Sequence, residues 1–201
     1  MTNDRRGVPK VRPRSRAEIE TLADAVAWSL YPALVERPGP MPIAQYFEFD
    51  LTAYFDIDVG TSNLLPPDVE GLGLDKGSRG RTELILRQDV YEAMWKGNQR
   101  ARFTATHEAA HALLSHHKDM GTHLVEGAKP ALYRRSDIPP YLDPEWQADV
   151  FAGTFLMPTK AVLALVQSGR ADAPAVARIF LVSLPAAEVR LKYLRREGKI
   201  A

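Results

Sequence analysis

The chain of 201 residues suits one compact domain with small appendages, and its 45% hydrophobic content can build a core and excludes a disordered chain. A formal net charge of +1 leaves no global field to draw nucleic acid or an anionic membrane as the main partner. The absence of cysteine excludes disulfides, thiol catalysis and thiolate ligands together, so any metal must be held by histidine and carboxylate.

Residues 1–14 read as a flexible basic tail, with Arg5, Arg6, Lys10, Arg12 and Arg14 against Asp4. The tail lacks the apolar stretch of a secretory signal, and no run in the chain approaches bilayer length. The expected location is therefore the cytoplasm, with no membrane partner. Ser15 and Glu18 form an S-x-x-E capping box for a first helix, which carries Ile19, Leu22, Ala23, Val26 and Leu30 at helical spacing and ends near Pro32. A second helix is predicted from about Pro42, with Ile43, Phe47, Leu51 and Tyr54 on one face. "GLGLDKGSRGRTELILR" reads as a β-hairpin around a Gly-Ser-Arg-Gly turn, its second strand Thr82–Arg87. A short helix over Val90–Trp95 precedes a longer one over Ala101–His117. Residues 117–143, with Gly121, Gly127 and the pair Pro139-Pro140, read as a long loop of functional type. Asp143 and Pro144 then open a helix to about Met157. Two or three short helices finish the chain, one capped by Thr159, one beginning near Pro174, one following Ser183.

The helix over Ala101–His117 contains "FTATHEAAHALLSHH". His107 and His111 are four apart and share a face, so both imidazoles can reach one metal ion. Glu108 sits about 100° round the helix, close enough to reach a metal-bound water. The same pattern on an ordinary helix would leave half-exposed histidines. Here Ala109, Ala110, Ala112, Leu113 and Leu114 make the surroundings apolar, and buried polar groups need partners. On a continuous helix His116 lies about 140° from His111, so it and His117 are read as cations at a helix C-terminus. Downstream, "DPEWQADVFAGTFLMP" spaces Glu145 and Asp149 four apart. Glu145 can complete a two-histidine, one-glutamate site, or can be a helix N-terminal acid favoured by the dipole. Asp149 can accept the free N–H of a ligating histidine. His123, Arg134 and Tyr141, in the intervening loop, are candidates for the oxyanion donor.

"RARFTATHEAAHALLSHH" and "EWQADVFAGTFLMP" resemble the two motifs of the ImmA/IrrE-type zinc metallopeptidases, the match running from about Arg100 to Pro158. The E-x-x-A-D form is shared with the wider glutamate-zincins, of which thermolysin is the familiar member. Ala110 stands where the family usually has glycine, a small exchange away from the metal. The resemblance implies an α+β fold: a mainly helical zincin-like domain over residues 15–158, with a small hairpin or sheet beside the active-site helix. A helical, helix-turn-helix-like segment over residues 159–201 would pack on it. It implies one zinc ion on His107, His111 and Glu145, Glu108 as general base and Asp149 behind a ligand. It also implies that Thr82, Glu83, Leu84 and Ile85 pair with an extended substrate by strand addition.

The expected function is a zinc endopeptidase of narrow specificity. By resemblance it cleaves a helix-turn-helix repressor in a stress or mobile-element response, with the loop over 117–143 as lid or exosite. Without a secretion signal or pro-segment, it would sit active among cytoplasmic proteins. The alternative is a regulatory protein that grips such a repressor without cutting it, or binds DNA through its last helices, where Arg190, Lys192, Arg195 and Arg196 are basic. Val182, Val189, Leu191 and Leu194 need a core, which favours packing over nucleic acid for those helices.

Overall fold

The computed structural model describes residues 9–75, 81–116, 137–169 and 172–200. The fold is α+β, mainly helical, with one three-stranded sheet. Helix α1 (Arg16–Leu30) starts on Ser15, and the capping box with Glu18 is formed in both directions. Its buried face carries Ile19, Ala23, Val26 and Ala27. Pro32 stops α1 by occupying the first turn of a new helix, α2 (Pro32–Glu36).

The next helical stretch has three parts: α3 (Ile43–Gln45), a π-helical segment (Tyr46–Asp50) and α4 (Leu51–Phe55). Ile43, Phe47 and Leu51 are buried as the spacing predicts, but Tyr54 is 69% exposed. The wide π turns rotate later residues away from the α-helical register, so the predicted apolar face does not continue to Tyr54.

Strand β1 (Ile57–Ser62), which the sequence reading does not contain, lies parallel to β3 (Thr82–Arg87). Strand β2 (Gly71–Asp75) pairs antiparallel with β3 as predicted, the Gly-Ser-Arg-Gly turn between them lying outside the described residues, and the sheet order is β1-β3-β2. Burial alternates along β3, and Leu84 and Leu86 are fully buried. Helix α5 (Gln88–Trp95) leads to α6 (Gln99–Leu113), which packs against β2, β3 and α5 and whose first turn is capped by Asn98. A short 3-10 turn (Pro140–Leu142) precedes α7 (Pro144–Leu156), where the Asp143 side chain accepts from the Glu145 N–H.

Helix α8 (Thr159–Gln167) is not capped by Thr159. Asp24 of α1 instead accepts from both the Thr159 N–H (3.2 Å) and its hydroxyl (2.8 Å). Helices α9 (Ala173–Phe180) and α10 (Leu184–Arg196) join at Leu181, which is left-handed at φ 54°. Val176, Phe180, Val182, Leu191 and Leu194 enter the common core, whereas Val189 is 54% exposed. Arg190 is buried and bonded to Glu20 Oε1 (2.9 Å), the Met157 carbonyl and the Thr159 hydroxyl. That removes the central cation of the basic helix from any DNA-facing role.

Residues 9–14, expected as the end of a flexible tail, are held instead. Val11 is buried, and the N–H groups of Val11 and Arg14 donate to the carbonyls of Leu142 and Tyr141. Apolar burial and paired backbone outweigh the basic composition there. Among the described residues, no single helix is long and apolar enough to cross a membrane.

Candidate metal centre

Helices α6 and α7 lie side by side because each offers small residues to the other layers: Ala105, Ala109 and Ala112 on α6, Ala148 and Ala152 on α7 are all buried. The close approach brings His107, His111 and Glu145 together, with one donor atom from each within 4.8 Å of the others. Nε2 of His107 and Nε2 of His111 are 3.0 Å apart. Glu145 places Oε2 3.3 Å from His107 and Oε1 3.5 Å from His111. A tetrahedral zinc with ligands at about 2.0–2.1 Å sets its donor atoms about 3.3–3.4 Å apart. The three residues therefore fit such an ion in spacing and in chemistry.

Electrostatics make the same point. Nδ1 of His107 donates to Asp149 Oδ1 at 3.0 Å. Burial alone would lower the His107 pKa, but hydrogen bonds to Asp149 and Glu145 outweigh it and push the value up to about 10. Burial and the neighbouring His107 charge push His111 down to about 4. The two rings shift in opposite directions because the carboxylates of Asp149 and Glu145 bond to His107, and a cation bound between the rings would displace any proton there.

Glu108 faces a cleft of about 470 Å³ that it shares with Glu70, Thr104, His107 and Asp149. Burial, with Glu145 and Glu70 nearby, holds its carboxyl above the usual carboxylate range, against the lowering effect of His107. Gly71 of β2 presses on it: a Cβ at Gly71 would lie 2.6 Å from Glu108 Cγ. Glu70 accepts from Arg100 (2.6 Å) and from the Thr104 hydroxyl (3.0 Å). Arg100 and Thr104 lie in the run that resembles the first family motif, but no motif singles out Glu70 or Gly71, because the sheet side delivers them to the helix from thirty-odd positions away.

Other predicted site residues are placed differently. Thr82, Glu83, Leu84 and Ile85 lie on the central strand, paired to β1 on one side and β2 on the other, so their backbone has no edge for a substrate. The strand against α6 that has an unpaired edge among the described residues is β2. Tyr141 lines a separate hollow with Pro13, Ser15 and Trp146, away from Glu108. His123 and Arg134 lie outside the described residues, as does most of the predicted loop over 117–143.

His116 is the largest departure. Helix α6 ends at Leu113, and Ser115 adopts a left-handed φ of 57°. The chain turns back, and His116 is fully buried with Nδ1 2.9 Å from Nδ1 of His111. The angular argument against it assumes a continuous helix, and the left-handed serine breaks that assumption.

The model of the peptidase family described as the IrrE N-terminal-like domain matches residues 52–192. No curated protein sequence matches the chain. Among solved structures, a Mycobacterium tuberculosis transcriptional regulator is similar over 85% of this chain, at 18% identity and a TM-score of 0.49. The chain spans 46% of that regulator's length.

Proposed function

This chain belongs to the peptidase family described as the IrrE N-terminal-like domain, and from that premise we propose that it is a zinc-dependent endopeptidase of narrow specificity. The observation that carries the reading is the convergence of His107, His111 and Glu145, with His107 and Glu108 lining one cleft. Those three residues would hold the ion. When bound, zinc supplies Lewis-acid polarisation of the scissile carbonyl and acidifies the attacking water. Glu108 takes the proton of that water on a carboxylate oxygen and returns it to the leaving amine. The water's OH ends on the carbonyl carbon and its proton on the nitrogen. Asp149 fixes the tautomer and ring plane of His107.

The edge of β2 replaces β3 as the strand to which an extended peptide adds. Gly71, at the start of that strand, brings the peptide's backbone next to Glu108. Carried from the resemblance, the substrate is a helix-turn-helix repressor in a stress or mobile-element response, and the enzyme acts in the cytoplasm.

The test uses the purified full chain, wild type and Glu108→Gln. Both should contain equal zinc by elemental analysis and bind a candidate repressor equally. Cleavage should fall about 10²–10⁴-fold in the variant, because the amide accepts no proton. If Glu108→Gln keeps full biological activity, the chain works by gripping its partner and the peptidase reading is lost.

A further inference from the structure

Two ring nitrogens cannot form a hydrogen bond unless one donates, so the contact between Nδ1 of His111 and Nδ1 of His116 poses a question of proton placement. The answer comes from Gln147 of α7, which is fully buried. Its Nε2 lies 3.0 Å from the Arg12 carbonyl and 2.9 Å from the Tyr141 carbonyl. Both of those groups only accept, so the NH₂ end of the amide is fixed there. Its oxygen, Oε1, then accepts from Arg14 Nη1 (3.1 Å) and from Nε2 of His116 (3.0 Å). His116 therefore carries its proton on Nε2. Its ring is fully buried and shares the Gln147 oxygen with the Arg14 cation, so a second proton would put an unpaired charge in the core, which favours the neutral form. Nδ1 of His116 is then a lone pair and must accept from Nδ1–H of His111. A neutral His111 protonated at Nδ1 presents a bare Nε2 to Glu145 and His107.

We propose that His116, held by Gln147, is a positioning residue that fixes the tautomer and ring plane of His111 as a metal ligand. The inference rests on the metal centre proposed above. It gives the two histidine ligands different supports: a carboxylate, Asp149, for His107 and an uncharged histidine–glutamine relay for His111. The difference has a physical reason. Glu108, Glu145 and Asp149 already gather negative charge around the site, and an uncharged relay orients the second ring without adding more. The left-handed Ser115 is what the chain adopts to reach this geometry, and Arg14 secures the turn by donating to the Leu114 carbonyl at 2.8 Å.

The test compares wild type, His116→Phe and His116→Gln in the full chain. Phenylalanine fills the buried space and accepts nothing, whereas the glutamine amide oxygen can still accept from His111. Zinc affinity is read by competition with a chromophoric chelator, and the protonated nitrogen of His111 by ¹⁵N NMR of the zinc-loaded wild type. Nδ1 of His111 should carry the proton. Zinc affinity should drop about 10–100-fold in His116→Phe and recover in large part in His116→Gln. A folded His116→Phe with wild-type affinity would overturn the proposal, as would equal losses in both variants, which would signify packing alone. Should His116→Phe fail to fold, the NMR measurement on the wild type decides: a His111 lacking the Nδ1 proton refutes the relay. A wild type that binds no zinc defeats the metal centre and the relay together, whereas each of the other results defeats the relay alone.

Discussion

At the scale of single residues, the site depends on atoms that are close because the fold forces them to be. Gly71 is the plainest case. Its missing side chain leaves room for Glu108, and a methyl there would meet Cγ at 2.6 Å and Cδ at 2.9 Å. The flexible glutamate, not the backbone, would give way. Gly71→Ala should therefore change the melting temperature little and keep zinc, while kcat falls about 10–100-fold through misplacement of the base. Equal kcat in the two proteins would show that Glu108 is not held by this contact. The histidines predict a pH dependence once a chelator has removed metal. His111 and His116 have folded values of about 4 and about 3, below their ordinary 6.5. The unfolded chain then binds protons first, so stability falls as pH drops below about 6.5. His107 has the opposite sign. Its folded value near 10 stabilises fully below 6.5 and is lost as pH rises towards 10. Thermal melts with chelator from pH 4 to 10 should peak near neutrality. A melting temperature that holds steady from pH 7 down to 4 would contradict the buried, neutral state of the two lowered rings.

At the scale of elements, helix boundaries and strand order decide what the motifs can do. The hairpin was legible from its glycines and alternation, but its place in the sheet was not. Strand β1 starts directly after the left-handed Asp56 and carries little apolar pattern, since four of its residues are only half-buried. Its pairing with β3 puts that strand in the middle and leaves β1 and β2 as the edges, of which β2 lies against α6. Helix α10 makes a similar point. Its basic residues suggest DNA, yet Arg190 joins α1, α8 and the end of α7 through Glu20, Thr159 and the Met157 carbonyl. Arg190→Ala should cost about 3 kcal/mol in urea unfolding, because Glu20 is left buried with weaker partners. Lys192→Ala, on the exposed side of the same helix, should cost next to nothing. Similar losses for both would mean that the buried knot does not hold α10 in place.

At the scale of the whole molecule, the question is what reaches the cleft. On the proposed reading a substrate peptide adds to the edge of β2 and passes Glu108, an extended conformation that few folded proteins can offer. Generic hydrolysis should be slow and a specific repressor cut at one place. Incubating the zinc-loaded protein with casein and with candidate helix-turn-helix repressors, then reading fragments by mass spectrometry, tests this. Rapid, unselective digestion of casein would rule out the regulatory reading while leaving the metal centre intact.

Groups whose geometry is local are legible in the amino-acid sequence. His107, Glu108 and His111 share a helix, Glu145 and Asp149 share another, and helical periodicity alone sets which of them face together. Capping at Ser15, Asp143 and Ser183 was legible for the same reason, since each depends on neighbours within a turn. How the two helices approach, which strands form the edges of the sheet, and the contact of His116 with His111 follow from the packed fold instead. Those outcomes rest on packing between segments far apart in the chain and on one left-handed serine, whose neighbours Leu114 and His116 bond to Arg14 and Gln147 in a way that no local pattern announces.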